Sequence, residues 1–587
     1  MERMGEDGED KLIAMARHIA RTLGRTDTMA DDILQIFSNF DGRFSREKLS
    51  DEHPALSSLE RRLRAYVSSD RPIWSDSGAA SEFLSALDDL IAAGGLHPRA
   101  DDLLQQCMLR LEEEFRMLIE QPAGTIDSGD EEDDSDGEDP IPVAYPVADY
   151  DIIIDAIPPG TVADLHSIAT RMVAAGFAKE CAHTYALSRR DFLDESVSRL
   201  GIRARTSEEL QATPWVELED EIARWVRAMS VAVRILFPSE RRLCDKVFAG
   251  LSQAADLAFA EACRGTAIQL LGFADAVAVV SRAPERLFKV LDMYEAVRDL
   301  IPEIESLFSD QYSSFLRSEA FAIWKGLGAA IRGIFMELEN LIRRDPAKAS
   351  VPGGGLHPIT RYVMNYLRAA CASRRTLEQV MDDDGGSGLA ATDLDRPSSS
   401  LAVQIAWIME VLQSNLEAKS KVYKDPSLSL VFLMNNGRYI SQKARDGELG
   451  ALLGEEWARR EAARLRRWMT EYQRMAWGKV VAVLKTDGPG GGGSGKAMRE
   501  RLRLFNGYLE DVWSEQRGWV VPDERLRQEL REASVGMVVP AYEGFLGRLR
   551  VVEGGRGVEK QLLMFSVEDV ETRIGDLFQG SSSIRRP

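Results

Sequence analysis

Apolar side chains recur three and four residues apart along most of this chain, the spacing that gathers them on one face of an α-helix. In residues 11–23, KLIAMARHIARTL, the positions Leu12, Met15, Ile19 and Leu23 share such a face. A second apolar set at Ile33, Leu34, Ile36, Phe37 and Phe40 predicts a partner helix beyond Gly24–Ala30. This hairpin could pack on the body or pair with helices of other chains, and the pattern alone leaves both open. Residues 79–120 predict another pair broken at Gly94–Pro98, its second member striped by Leu103, Leu104, Met108, Leu111, Phe115 and Leu118. From Asp155 to about Phe578 helical patterns follow one another. They are punctuated at Pro158–Gly160, Pro214, Pro238, Pro284, Arg344–Pro358, Asp382–Ser400, Asp487–Gly495 and Glu553–Gly557. Proline lacks the backbone donor that a helix interior needs, and glycine permits left-handed turns, so both end helices. Helix, short break, helix is what stacked antiparallel hairpins require. The predicted fold is therefore all-α, an elongated rod of stacked hairpins or bundles with no significant sheet.

Composition leaves that picture standing and narrows the function. The chain has 587 residues, 44% hydrophobic and 28% charged, enough for a large core. Between Asp127 and Asp139 stand nine acidic residues and almost nothing apolar, which predicts a disordered linker over 121–150. The formal charge of −21 argues against nucleic acid as a partner, because a polyanion needs a basic face. The charge is uneven: residues 438–586 hold 26 Lys and Arg against 22 Asp and Glu, so an acidic body ends in a weakly basic region. Cys107, Cys181, Cys244, Cys263 and Cys371 show no paired spacing, which suits a reducing cytosol. The acidic start MERMGEDGED has no secretory character, and no apolar run approaches the roughly 20 residues that span a bilayer. Any membrane contact is expected to be peripheral, from the cytoplasmic side.

Three motifs resemble chemistry without supplying it. Gly490–Ala497, GGGGSGKA, has the glycine and lysine spacing of a phosphate loop through Gly490, Gly495 and Lys496. Ala497 stands where a hydroxyl would hold magnesium, and the preceding VVAVL continues a helical pattern. Cys181 and His183 have no second pair nearby and predict no metal site. In 456–477 the arginines Arg459, Arg460, Arg464, Arg466, Arg467 and Arg474 interleave with Trp457, Trp468 and Trp477. There Trp457, Leu465, Trp468 and Tyr472 can share a buried face, which predicts a core helix with a basic solvent face. No catalytic, cofactor or metal residue is assigned, and the chain is not expected to be an enzyme.

The most specific stretch, Val431–Arg460 (VFLMNNGRYISQKARDGELGALLGEEWARR), contains no catalytic group. Together with TVADLHSIATRMVAAGF at 161–177, SERRLCDKVF at 239–248, FADAVAVVSRAPERLFKVLDMYEAV at 273–297 and the long block at 503–548, it resembles the plant Exo-seventy family. Members of that family are subunits of the exocyst, the complex that tethers secretory vesicles to the plasma membrane. The resemblance runs from about Ile154 to Phe578. It implies assembly with other exocyst subunits through the N-terminal helices, here Leu12, Met15, Ile19 and Leu23 within residues 1–65. A helical pair at 66–120 and the helical rod at 151–580 would follow, with flexible loops near 344–358, 382–400 and 487–496 and a tail at 581–587. It also implies phosphoinositide binding at a basic C-terminal tip and small GTPases as partners.

At the tip this chain departs from the family pattern. Arg556 and Lys560 remain, while a second lysine is replaced by Leu563 or Met564. Each basic residue near an anionic leaflet contributes about 1 kcal/mol, so weakened lipid binding is expected. The membrane-binding set is then Arg548, Arg550, Arg556, Lys560 and Arg573. The altered tip also admits a second reading: a divergent adaptor in plant immunity or autophagy, bound by a pathogen effector or short peptide in a groove between helices.

Overall fold

The structure, a computed structural model, describes residues 54–93, 98–120, 157–203, 205–279, 282–347, 349–382, 399–445, 447–485, 495–552 and 564–580. The N-terminal hairpin with Leu12, Met15, Ile19 and Leu23, and the acidic stretch 121–150, lie outside the described residues. The chain divides into two compact units. One comprises the residues up to Asp191 with Glu240–Ala262; the other comprises Phe192–Ser239 and the residues from Cys263 onward.

The first unit contains α1 (Pro54–Val67), α2 (Ser77–Ala93), α3 (Pro98–Glu120), α4 (Pro159–Ala174) and most of α5 (Ala178–Arg199). On α3 most of the expected stripe is buried: Leu103, Met108, Leu111, Phe115 and Leu118 are all less than a tenth exposed, while Leu104 is half-buried. Glu114, on the same helix and also buried, accepts the Ile73 N–H at 2.8 Å and pairs with Arg110 at 2.8 Å. Phe115 and Tyr185 both pack against Phe248, with ring centroids 6.4 and 5.5 Å away. Beside them Arg189 and Glu240 form a buried ion pair at 3.0 Å, and the Tyr185 hydroxyl donates to Glu240 at 2.6 Å.

The second unit takes in the end of α5, then α6 (Ser207–Ala212) and α7 (Trp215–Val231), and the division between units also falls within α8 (Phe237–Val247) and α9 (Ser252–Val279). It continues through α10 (Leu287–Leu307), α11 (Ser314–Arg344), α12 (Pro358–Ala370), α13 (Arg374–Asp382), α14 (Ser400–Ser420) and α15 (Pro426–Arg445). It closes with α16 (Glu448–Leu484), α17 (Gly495–Gln516), α18 (Glu524–Val552) and α19 (Val567–Gly575). Among the described residues there is no strand, only one isolated bridge between Val520 and Gln579. Successive helices pack as hairpins, as helix 11 illustrates: Leu316, Ala320, Ile323, Leu327, Ile331, Ile334, Leu338 and Ile342 are buried at three- and four-residue spacing.

The prolines at 159 and 214 sit where helices begin, as expected. Pro238 requires a correction, because no break occurs there. α7 passes into α8 through a π-turn, Ala232–Leu236, and Phe237 keeps helical angles (φ −66°, ψ −41°). The π-turn re-registers the backbone bonds just ahead of the residue that lacks a donor, so the helical path continues.

The block singled out in the sequence forms α15 and the start of α16, and its glycine is a point of close approach. A Cβ on Gly437 would lie 2.9 Å from Cζ3 of Trp468 and 3.1 Å from Cδ2 of Leu465. Gly437→Val is therefore expected to cost about 1–3 kcal/mol through overpacking. Chemical denaturation would show it, and an unchanged midpoint would mean that α15 and α16 can separate freely. Beside Gly437, Arg438 is held at 3.1 Å by Asp523, which starts α18 by accepting the Leu526 N–H at 2.7 Å.

Candidate functional site

The basic residues expected to meet a partner near the C-terminus do not form a single cluster. Helix 16 ends at Leu484, where its last carbonyls lack intrahelical partners and carry the negative end of the helix dipole. Arg548 Nη2 donates to the Leu484 carbonyl at 3.1 Å, and Arg501 Nη1 donates to the Lys485 carbonyl at 3.1 Å. The end of α16, the first turns of α17 and the last turns of α18 thus meet. Lys485, Lys496, Arg548 and Arg550 are exposed there. Val551, one residue beyond Arg550, is 79% exposed.

Arg573 is set apart from this group. On α19 its Nη1 lies 2.6 Å from Glu510, and its guanidinium stacks 4.5 Å over Trp513 and 4.4 Å over Phe565. Glu510 lies nine residues along α17 from Arg501, about 13 Å at the helical rise of 1.5 Å per residue. Arg556 and Lys560 lie outside the described residues. Lys485 was missed by sequence reasoning, and Lys496 was singled out there only for its phosphate-loop spacing, not as a member of this basic group. They flank the glycine-rich stretch, and only the side-by-side packing of α16, α17 and α18 brings them to Arg548.

Elsewhere the side chains suit packing and ion pairing. The segment before the glycine-rich stretch is helix through Leu484, so the strand that leads into a phosphate loop is not there. Burial pushes the Cys107 and Cys181 thiols up to about 12 and the Cys371 thiol up to about 11, which keeps them protonated and poorly nucleophilic. His183 is exposed, its Nδ1 3.2 Å from Glu261. On α16 Trp468, Tyr472 and Trp477 are buried, whereas Arg459, Arg460, Arg466, Arg467 and Arg474 are exposed. Trp457 and Leu465 are half-buried.

Comparison with known proteins gives this arrangement a family. Residues 223–576 match the family model for the C-terminal domain of Exo70, a component of the exocyst complex. The chain belongs to the Exo70 family. It is 52% identical to exocyst complex component EXO70B1 of Arabidopsis thaliana, over 99% of this chain and 100% of the relative. It is 49% identical to EXO70B2 of the same plant, with the same coverage of both chains. Among solved structures it resembles the crystal structure of the Saccharomyces cerevisiae exocyst component Exo70p, with a TM-score of 0.57 at 14% identity, over 90% of this chain and all of that one. The fold is thus an Exo70 fold, and the basic end of α16 to α18 lies within the part that the family model covers.

Proposed function

We propose that this chain is a non-enzymatic, peripheral subunit of an exocyst complex that tethers secretory vesicles to the plasma membrane. The observation that carries the reading is similarity from end to end: two relatives named as exocyst components align over 99% of this chain and their own full length. The residues that carry Leu12, Met15, Ile19 and Leu23 fall inside that alignment, which supports assembly through them. The adaptor reading is not favoured, since no observation separates this chain from relatives that carry the exocyst name.

The deciding experiment is affinity purification of the tagged protein from its own cells, intact and lacking residues 1–40. The intact chain is expected to recover other exocyst subunits and the truncated chain to lose them. If neither form recovers them, the exocyst reading fails.

Membrane contact is assigned to Arg548 and Arg550, with Arg556 and Lys560 beside them in sequence. Two basic residues at about 1 kcal/mol each correspond to roughly 30-fold in partitioning. The pair Arg548→Gln/Arg550→Gln is therefore expected to lower binding to vesicles containing anionic lipid by about that factor at low salt, in a flotation assay. Arg573→Gln is expected to leave vesicle binding nearly unchanged and to lower stability, because its charge is committed to Glu510 and two rings. Equal loss in both variants would show that no distinct basic end exists.

A further inference from the structure

A second basic feature lies far from the C-terminal helices in sequence, within the second unit, and forms a cleft. Helix 5 ends at Arg199, and Gly201 turns the chain in the left-handed conformation (φ +87°). The turn places Ser198, Gly201, Arg203 and Arg205 opposite Glu221 and Arg224 of α7, around a cleft of about 400 Å³. That volume falls in the range of small-ligand sites, roughly 300–1,000 Å³.

The charges in the cleft are not balanced. Glu221 is buried, and Arg205 Nη1 already meets its carboxylate at 3.2 Å while reaching the Thr213 hydroxyl at 3.4 Å. Arg203 and Arg224 have no carboxylate within ion-pair distance among the described residues. The cleft therefore holds two uncompensated guanidinium groups, on a chain whose formal charge is −21. A larger cleft of about 790 Å³ around Arg298, Arg374 and Arg375 offers a contrast. Three glutamates line it as well, and Arg374 is tied to Glu378 at 2.8 Å and Glu448 at 3.0 Å.

Arg224 is also positioned. A Cβ on residue 201 would lie 2.9 Å from Arg224 Cδ, so the absence of a side chain at Gly201 lets the arginine stem lie against the turn. Each guanidinium presents several N–H donors in a fixed fork, the geometry that grips phosphate oxygens in pairs. Two such forks with no counter-charge match a dianion better than a single carboxylate, and the Ser198 hydroxyl adds a further donor.

We infer that the Arg203–Arg224 cleft binds a phosphomonoester group, of the kind carried by an inositol phosphate, either free or as a lipid headgroup. This does not depend on the exocyst reading or on the basic end of the C-terminal helices. The test uses the full chain with inositol hexakisphosphate and inorganic phosphate as soluble probes, followed by calorimetry at physiological salt. Inositol hexakisphosphate is expected to bind, and Arg203→Gln/Arg224→Gln to weaken it on the order of a hundredfold, since each charge-assisted fork is lost.

Arg227→Gln, an exposed change one turn along α7 and outside the cleft, is expected to bind like the parent. Arg203→Lys/Arg224→Lys is expected to recover part of the affinity, a rescue that a general folding defect would not allow. Vesicles with and without phosphatidylinositol bisphosphate then separate the sources. A headgroup ligand makes vesicle binding depend on Arg203 and Arg224, whereas a free ligand leaves it unaffected while soluble binding is still lost. The inference is overturned if the parent binds neither soluble probe, or if the glutamine pair binds inositol hexakisphosphate as the parent does.

Discussion

Arg189→Ala is expected to destabilise the first unit by about 3–5 kcal/mol, the largest loss foreseen for a single charged side chain here. The reason is the partner left behind. The side chains of Arg189 and Glu240 are 4% and 1% exposed, with Nε and Oε2 3.0 Å apart. Removing the arginine leaves a carboxylate in a dry environment, with the Tyr185 hydroxyl at 2.6 Å as a neutral donor. A neutral hydrogen bond of this kind does not offset the desolvation of a full charge. Replacing both members, as in Arg189→Met/Glu240→Leu, is expected to cost far less, because no unpaired charge stays buried. The pair would then contribute more to the specificity of helix placement than to net stability.

Native-state hydrogen exchange of the α5 amides in the intact chain is the suitable measurement, since it reads local opening without assuming that both units unfold together. A loss below about 1 kcal/mol in the single variant would mean that water reaches Glu240, and the argument from burial would fail.

Much of this fold can be read in the sequence, because the periodicity of apolar residues records which face of a helix is buried. The stripe on α3 and the Trp468–Tyr472 face of α16 were both legible for that reason. What periodicity does not encode is the pairing of helices remote in sequence. The proximity of Arg548 to Lys485, and the separation of Arg573 from both, follow only from how α16, α17 and α18 lie together. Backbone devices that let a helix tolerate proline were also hidden. Pro238 looks like a stop in sequence, and the π-turn ahead of it leaves no side-chain signature. Pro302 and Pro540 likewise lie inside helices. The cleft at Arg203 and Arg224 escaped notice because its two spare arginines are 21 positions apart and carry no motif.

The role of the Val431–Arg460 block shows where legibility ended, and it supports the second large prediction. The block is distinctive yet contains no catalytic group, and the structure explains its two asparagines by what they hold. Asn436, fully buried, accepts the His357 N–H at 3.0 Å and the Thr360 hydroxyl at 2.7 Å, and donates to the Phe432 carbonyl at 2.7 Å. Asn435 donates to the carbonyls of Gly354 and Val520, both at 2.7 Å. Val520 in turn donates its N–H to Gly353 at 2.8 Å. The Gly353–Gly354 turn has positive φ at both residues, and a Cβ at either would meet a neighbour at 2.8 Å. This turn, within the 344–358 segment expected to be a flexible loop, is thus held by residues about 80 positions away.

Asn436→Ala is expected to cost about 3–4 kcal/mol, since two buried donors lose their acceptor at about 1–3 kcal/mol each. The His357 amide should exchange much faster while amides of α3, in the other unit, keep their rates. Asn436→Asp keeps the acceptor but loses the donor to Phe432, and it places a carboxylate in a dry site. It should recover less than half of the loss. If His357 protection survives in Asn436→Ala, water or another acceptor replaces the asparagine, and the clamp is not what fixes this turn. The clamp also joins the turn to Val520, between α17 and α18. Asn435→Ala, which leaves the Val520 carbonyl without its donor, should therefore weaken the seating of the helices that flank it and lower vesicle binding although no basic residue has been touched.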